Sequence, residues 1–518
     1  MNALLIWPRI PVTYWGGHYS IGLIGKRAFM PPLGLLTVAA LCPADWSLRL
    51  VDLNADSLSD SDLEWADMVL MSGMVIQHDS MMETIARCRK KNVPIAVGGP
   101  HATSSPEKFD GATYLVLDEG EITFPMFLSD LQAGNAQRVY TANGDKPDVT
   151  QTPVPRFDLL RTEIYSHMCL QYSRGCPFAC EFCDITTLYG KKPRTKTPEQ
   201  VITELQAIYD LGFRGEVFFV DDNFIGNKKN VKLMLPTLIE WMQKHSYPFW
   251  LYTEASINLA DDEELLELMC QAGFHSVFIG IESPSMESLR ETHKFQNLHG
   301  NLLSNVHKIQ QHGLEVMAGF IVGFDSDTDD IFDRQIEFIT RARIPMAMIG
   351  PLQAMPNTQL WVRLEKEGRL KRDFEGDTCG FCNFETKLPA ITLARGYRKV
   401  LATLYAASNY FARLRALISS MKGSRNETFG RLSSSMKVEY SIKLVRALSS
   451  LLIASEDRGE YLAFLLWVLR NHPDKLLFAI ARAIVGNHLI RYTSEVMVPR
   501  LTLLEAALGE APILSKAN

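Results

Sequence analysis

The chain has 518 residues, of which 47% are hydrophobic and 22% are charged, and its formal net charge is −6 at pH 7. These values are ordinary for a soluble globular protein, and the length allows two or three domains. The negative charge gives no reason to expect nucleic acid as a partner, because chains that bind nucleic acid are typically basic.

The start of the chain does not resemble a secretory signal, because its apolar run is short and is interrupted by Pro8. The nine cysteines are an odd number, which does not suit a complete set of disulfides. No segment reaches the roughly 18 uninterrupted apolar residues of a membrane-spanning helix. We therefore expect a cytoplasmic protein in a reducing compartment.

The first 142 residues are predicted to form a doubly wound, Rossmann-like parallel sheet. Segments of helical spacing alternate there with short apolar runs at 3–7, 48–52, 68–72, 94–97 and 114–117. Such sheets bind ligands beyond the carboxyl ends of their strands. No G-x-G-x-x-G sequence follows the first run, so a dinucleotide site is disfavoured.

The loops after these runs contain Ser72, Gly73, Gly98, Gly99, Pro100, His101, Gly120 and Glu121. They resemble the loops of the cobalamin-binding domain that precedes many radical S-adenosylmethionine (SAM) domains, and the resemblance assigns these eight residues to cobalamin. Corrinoid families that ligate cobalt through histidine have an Asp-x-His-x-x-Gly loop after the second strand. Here that loop begins at Asp52 and has no histidine, which implies a cobalt without a histidine ligand on its lower face. A histidine placed as His101 is more often a loop cap or a pocket residue. The alternative for this domain is a flavodoxin-like module that only mediates contacts.

An incomplete (β/α)6 barrel is predicted over residues 165–385, after a linker at 143–164 that is rich in turn residues. Its strand-like runs lie at 168–173, 216–220, 249–253, 276–281, 316–322 and 345–352, with helical segments between them. One helix has a complete start signal. Thr197 can cap it, Pro198 suits its first turn, and Gln200 completes a capping box.

Cys176, Cys180 and Cys183 lie on one short loop with the spacing C-x3-C-x2-C, and Phe182 precedes the last of them. Three thiolates can hold three irons of a [4Fe–4S] cluster and leave the fourth iron open to a small molecule. A structural zinc site is the alternative, but such sites usually close four ligands from paired C-x-x-C motifs. The spacing resembles the signature of the radical SAM superfamily, in which the open iron binds SAM.

Polar side chains follow the predicted barrel strands, at the end where function collects in this fold. The residues that the resemblance assigns to SAM are Phe182, Asp222, Asn223, Glu254, Glu282 and Ile321. Of these, Asp222 or Asn223 would hold the methionine amino group, one of the glutamates the ribose hydroxyls, and the backbone around Ile321 the adenine. Helix N-capping is the alternative role for the individual polar residues.

Two basic residues beyond the cysteine loop, Arg194 and Lys196, leave two interpretations open. They can pair with the SAM carboxylate or the substrate, or they can form a solvated basic turn.

Residues 386–518 are predicted to be helical, with helical patterns at 395–421, 440–455, 461–471 and 475–485. This region can close the barrel over an apolar substrate, contact a membrane surface, or only pack against the other domains. Residues 464–467 are the candidates for a pocket or a bilayer contact. Cys379 and Cys382 are interpreted as ordinary thiols, since two thiols do not make a second cluster.

Across roughly residues 1–400 the chain resembles the cobalamin-binding radical SAM proteins. The segments 27–36, 172–190, 196–200 and 220–227 resemble the subgroup that contains the hopanoid C-2 methylases, whereas the C-terminal helices have no counterpart in this resemblance. The resemblance implies a [4Fe–4S] cluster, SAM and cobalamin as cofactors. It implies methyl transfer to an unactivated carbon of an apolar, lipid- or terpenoid-like substrate, through a 5′-deoxyadenosyl radical and methylcobalamin.

Two other functions stay open at this point. One is a cobalamin-dependent radical SAM enzyme that performs ring closure, ring contraction or oxidation without methyl transfer. The other is a sensor based on the corrinoid or the cluster. The enzyme interpretations imply a reducing partner of the flavodoxin or ferredoxin type, and the C-terminal helices allow peripheral contact with the inner face of the membrane.

Overall fold

The structure is a computed structural model that describes residues 1–14, 16–372, 374, 376–377, 380–421 and 444–510. Cys379 and residues 440–443 lie outside the described residues. The interpretation of Cys379 as an ordinary thiol and the helical pattern predicted for 440–443 therefore stay predictions. None of the helices within the described ranges is long and apolar enough to cross a membrane.

The first sheet has six parallel strands in the order β2-β1-β3-β4-β5-β6. They are β1 (Asn2–Trp7), β2 (Ser47–Asp52), β3 (Met68–Ser72), β4 (Ile95–Gly98), β5 (Tyr114–Val116) and β6 (Val139–Tyr140). The helices around it are α1 (His18–Ile21), α2 (Leu33–Leu41), α3 (Asp60–Trp65), α4 (His78–Lys90), α5 (Pro100–Ser104) and α6 (Gly120–Gln132). The short strand β6 was not predicted.

Helices cover both faces of this sheet, because its side chains alternate between two separate cores. Leu4 and Ile6 of β1 pack on one face with Ile85 of α4. Ala3 and Leu5 pack on the other face with residues of α2 and α6. This is the period-2 alternation of a strand that is buried on both sides, and it confirms the predicted doubly wound fold.

The second sheet also has six parallel strands, in the order β14-β13-β12-β11-β10-β7. They are β7 (His167–Leu170), β10 (Gly215–Phe219), β11 (Phe249–Glu254), β12 (Phe274–Glu282), β13 (Glu315–Val322) and β14 (Ala347–Pro351), and the pair β8 (Ser173–Arg174) and β9 (Arg194–Thr195) lies apart from them. The helices are α7 (Ile185–Leu188), α8 (Pro198–Asp210), α9 (Lys228–Lys244), α10 (Glu263–Gln271), α11 (Met286–Glu291), α12 (Leu302–Gln311), α13 (Ile331–Arg341) and α14 (Gln359–Lys366). The predicted six-stranded incomplete barrel is confirmed.

The start of α8 has the predicted capping box. The Thr197 hydroxyl accepts a hydrogen bond from the Gln200 amide at 3.3 Å, and the Gln200 side chain accepts one from the Thr197 amide at 2.9 Å. Two backbone donors that a helix start leaves unpaired are thereby satisfied.

The C-terminal region is helical, as predicted, and its core is continuous with that of the barrel. Its described helices include α15 (Ala390–Leu404), α16 (Ala407–Ser420), α17 (Arg458–Asn471), α18 (Leu476–Tyr492) and α19 (Val498–Glu510), and residues 444–454 are also helical. The helical pattern at 395–421 forms two helices, which break where the Tyr405 hydroxyl bonds the backbone of Ala347 at the start of β14. The Arg482 guanidinium of α18 lies 2.6 Å from the Glu315 carboxylate of β13, which fixes α18 to the barrel.

Candidate active site

The three cysteines lie on the loop between β8 and α7, and the pairing of β8 with β9 holds the base of this loop. Gly175 has a φ of 92°, which favours glycine. A Cβ atom there would lie 2.8 Å from the Gly190 carbonyl, so the residue before Cys176 must be glycine for the loop to close. The amide of Cys176 donates to that same carbonyl at 3.3 Å.

The cysteines are free thiols, of which Cys180 is buried and Cys176 and Cys183 are half-buried. Burial raises the pKa of the Cys176 and Cys183 thiols, since it penalises the thiolate. Thiolates at this place therefore require a compensating cation, and three thiols on one short loop fit the irons of a [4Fe–4S] cluster.

Three polar side chains around the thiols come from distant segments. The Asn223 amide nitrogen lies 3.8 Å from the Cys176 sulfur. The Gln296 amide nitrogen lies 3.5 Å from the Cys180 sulfur. The buried Lys294 ammonium lies 2.7 Å from a Glu282 carboxylate oxygen. Burial lowers the pKa of Lys294, but the charge of the Glu282 carboxylate outweighs burial and raises it. Sequence reasoning missed Lys294 and Gln296, because no motif marks the loop after α11.

The two aspartates that follow β10 have different roles. Asp221 is buried and accepts hydrogen bonds from the Tyr172 amide at 2.8 Å and the Ser173 amide at 2.7 Å. It therefore holds the strand that leads into the cysteine loop. Asp222 accepts from the Gly175 amide at 3.0 Å, and burial raises its pKa to about 6. Its carboxylate lines the central cavity described below.

Glu254, at the end of β11, is the carboxylate that most clearly lacks a partner. No hydrogen bond or salt bridge engages it within the described ranges of the chain, and it lines the central cavity. Burial, followed by the charges of Asp222 and Asp221, raises its pKa to about 8. A buried carboxylate without a partner costs free energy unless a ligand completes its hydrogen bonds, so Glu254 fits a ligand with hydroxyl donors, such as a ribose.

The other residues predicted to bind SAM lie at the same edge of the barrel but do not line the cavity. Glu282 has a left-handed backbone, with φ 65°, where the register between β12 and β13 shifts. The Ile321 carbonyl accepts a hydrogen bond from Gln335 at 2.7 Å. Phe182 lies between Phe324, at 6.4 Å between ring centroids, and the Lys294 ammonium.

All eight residues predicted to bind cobalamin line one side of the cavity. The backbone of Gly99 has a φ of 87°, which favours glycine. The Nε2 atom of His101 lies 3.0 Å from Nδ1 of His78. Burial lowers the pKa of His101 to about 4, so its imidazole is neutral. A cleft of backbone and small side chains fits a broad, flat ligand such as cobalamin.

Four charged residues join the cobalamin side of the cavity to the cysteine loop. Arg174 lies 2.7 Å from Glu121 and 2.8 Å from Glu119, and Arg194 lies 2.7 Å from Glu119. Arg194 is therefore not part of a solvated turn, and it is already paired. Lys196 is likewise buried in a pair with Glu204. The interpretation as a solvated basic turn is therefore wrong, whereas pairing with the SAM carboxylate or the substrate stays a prediction.

A cavity of about 1700 Å³ lies between the first sheet, the barrel and α18. The inner face of the barrel contributes apolar side chains such as Phe218, Phe278 and Met317, and α18 contributes Ile480 and Ile484. Asp222 and Glu254 lie where this apolar wall meets the cysteine loop. The arrangement can hold a flat cofactor, a nucleoside and an apolar molecule in one water-poor space.

Comparisons with known proteins agree with this arrangement. Three family models match the chain: a B12 binding domain over 24–128, the radical SAM superfamily over 170–339, and a domain of unknown function (DUF4070) over 358–499. The chain is 46% identical over 417 residues to an uncharacterized methyltransferase, sll1242, of Synechocystis sp., covering 80% of this chain and 78% of that protein.

The chain is 36% identical over 505 residues to the hopanoid C-2 methylase of Rhodopseudomonas palustris, covering 95% of this chain and 94% of that protein. The expectation that the C-terminal helices have no counterpart was therefore wrong. Among solved structures, the cobalamin-dependent SAM radical enzyme OxsB matches with a TM-score of 0.59 and 14% identity, covering 98% of this chain and 83% of that chain.

Proposed function

Because the chain belongs to the cobalamin-dependent radical SAM methyltransferase family, we propose that it methylates an unactivated carbon of an apolar substrate held in the central cavity. The observation that carries this proposal is the shared cavity, which the cobalamin loops, Asp222, Glu254 and the apolar barrel wall all line. The similarity to a protein named hopanoid C-2 methylase supports a terpenoid-like substrate. An apolar wall suits such a substrate because it removes apolar surface from water.

We assign the cofactors to the following residues. Cys176, Cys180 and Cys183 hold the [4Fe–4S] cluster. When bound, the cluster and SAM supply a 5′-deoxyadenosyl radical, and cobalamin supplies the methyl group. Glu254 accepts hydrogen bonds from the ribose hydroxyls of SAM, and Asp222 accepts from its amino group.

The remaining predicted contacts act around these groups. Phe182 covers the cluster, and the amide of Asn223 donates to the Cys176 sulfur. Glu282 orients the Lys294 ammonium, and the backbone around Ile321 faces the adenine. The cobalamin lies against the eight predicted residues of the first domain, and no histidine ligates its cobalt, since His101 pairs with His78.

The proposed function is tested by anaerobic turnover of the reconstituted protein with SAM, hydroxocobalamin, a terpenoid extract and dithionite. Dithionite replaces the flavodoxin- or ferredoxin-type protein that we propose as the natural reductant. We expect 5′-deoxyadenosine in excess of one equivalent and a product heavier than its precursor by one CH2 group. A product without the added CH2 would favour ring closure, ring contraction or oxidation. Bound corrinoid without any 5′-deoxyadenosine would favour a sensor.

We also propose that α17 contacts a membrane surface. Leu462, Leu466 and Leu469 are 49%, 56% and 50% exposed, and their spacing places them on one face of the helix. Phe464 of the same segment is fully buried, so the predicted stretch 464–467 divides between core packing and an outward apolar face. None of these residues lines the cavity.

The membrane proposal is tested by cosedimentation with vesicles of phosphatidylcholine and phosphatidylglycerol. The double substitution Leu462→Glu and Leu466→Glu is expected to lower the bound fraction at least about five-fold, because it removes apolar surface from the contact. Leu233→Glu is the matched control, since Leu233 is 64% exposed on a different helix, α9. Equal binding of the double variant and the wild type would contradict the proposal.

A further inference from the structure

The end of the cavity remote from the cysteine loop has a charged group that the proposed chemistry does not use. Glu216, at the start of β10, lines the cavity there, and its Oε2 atom lies 2.8 Å from Nε2 of His167. Arg482 and Glu315 form a second pair close by. Charged side chains inside an otherwise apolar cavity are costly unless they bind something.

Strand register gives the separation between this group and the proposed SAM site. Glu216 pairs with Trp250 of β11, and Glu254 lies four residues further along the same strand. At about 3.3 Å per residue, roughly 13 Å separate the two levels of the barrel. Phe218 and Tyr252 lie between them, and their rings stack at 4.6 Å between centroids. An elongated apolar molecule fits this interval.

Glu216 has an oxygen atom available for a ligand. Its side chain is 26% exposed, and this surface faces the cavity. Its Oε1 atom takes part in no hydrogen bond within the described ranges, since His167 occupies Oε2. Burial disfavours the charge of Glu216, but His167, His275 and Arg482 outweigh it and lower the pKa, so the carboxylate is ionised.

The neighbouring charges determine which kind of hydrogen-bond donor is favoured at this oxygen. His167, His275 and Arg482 already compensate the charge of Glu216, so a cationic ammonium group gains little there. A neutral hydroxyl completes the hydrogen bonds of Oε1 without adding charge. Tyr252 and Ser276 also line the cavity, and their buried hydroxyls have no hydrogen-bond partner in the described residues.

We propose that the substrate is an elongated, largely apolar molecule with a hydroxyl group, and that Glu216 accepts a hydrogen bond from this hydroxyl. The inference rests on the proposed function for the identity of the cavity as the substrate site. The contact determines which carbon of the substrate lies at the level of Glu254 and the proposed SAM site, about 13 Å away along the barrel. An apolar molecule without the hydroxyl binds less well, because it leaves Oε1 buried and unpaired.

The test measures retention of matched ligands by the holoprotein loaded with cluster and cobalamin but without SAM. The ligand pairs are cholestanol with cholestane and hexadecanol with hexadecane, each supplied as an equimolar mixture from cyclodextrin. The alcohol-to-hydrocarbon ratio that stays bound through gel filtration is measured by mass spectrometry. Comparing this ratio between proteins cancels the preference of the carrier.

In at least one pair, Glu216→Leu is expected to lower the ratio at least about ten-fold, through weaker alcohol binding and stronger hydrocarbon binding. Glu216→Gln keeps the shape of the side chain and a neutral acceptor, so a smaller decrease is expected, and it serves if the leucine variant does not fold. Leu233→Ala, a change at a residue of α9 that is 64% exposed and does not line the cavity, is expected to leave the ratio unchanged.

An equal ratio for the wild type and both Glu216 variants would overturn the proposal. Failure of the wild type to retain any of the four ligands would also overturn it. The assay involves no turnover. An unchanged alcohol-to-hydrocarbon ratio would therefore contradict the role of Glu216 but not the proposed methyl transfer. A failure of methyl transfer would not affect the measured ratio.

Discussion

Cys180→Ala is expected to abolish the cleavage of SAM to 5′-deoxyadenosine and to lower the iron content of the anaerobically reconstituted protein. The thiol of Cys180 is buried, and Gln296 already donates to it. No other described thiol of this loop can replace it, because the proposed assignment gives Cys176 and Cys183 an iron each. The measurements are iron and sulfide per chain, the low-temperature electron paramagnetic resonance signal of the reduced cluster, and 5′-deoxyadenosine over time.

The matched control for this prediction is Cys382→Ala. Cys382 is also a buried free thiol, and it lies outside the cysteine loop. It is expected to leave iron content and SAM cleavage unchanged, whereas a loss of iron would favour the second-cluster interpretation of Cys379 and Cys382. Both variants are expected to keep about one corrinoid per chain, since the residues proposed to bind cobalamin lie in the first domain. Wild-type cleavage by Cys180→Ala would contradict the assignment of the cluster ligands.

Features that depend on short stretches of sequence could be predicted. The spacing of the cysteines spans a single loop, and the capping box at Thr197 spans four residues. Short continuous apolar runs identified the long strands of both sheets, because burial on both faces leaves continuous apolar stretches. The strand ends Asp222 and Glu254 were found for the same reason, since polar residues directly follow apolar runs.

Features that depend on contacts between distant segments could not be predicted. Lys294 and Gln296 reach the cysteine loop from a segment that has no motif. The partners of Arg194 were missed because Glu119 lies in another domain. Glu216 is one charged residue in an apolar strand, and only the fold places it inside the cavity. The role of Arg482 likewise depends on a partner, Glu315, that lies far away in the sequence.

Arg482→Met is expected to be among the most destabilising single substitutions in the C-terminal region. The side chains of Arg482 and Glu315 are 7% and 0% exposed, and Oε1 of Glu315 has no partner in the described residues even with the pair intact. Removal of the arginine leaves a buried carboxylate without its counterion. Such a change costs about 3–5 kcal/mol in the free energy of unfolding.

The matched control on the same helix is Arg491→Met. Arg491 pairs with Glu495, but both side chains are nearly half exposed, at 47% and 45%, so a loss of less than about 1 kcal/mol is expected. The measurements are thermal unfolding of the first transition and the rate of proteolysis within α18.

The double variant Glu315→Leu and Arg482→Met separates the ion pair from simple packing. It removes both buried charges together, and replacing a buried pair by apolar residues is often close to neutral. It is therefore expected to recover most of the stability that Arg482→Met loses. A double variant as unstable as Arg482→Met would show that the arginine acts through the packing of its side chain, and that the attachment of α18 to the barrel does not depend on this charge pair.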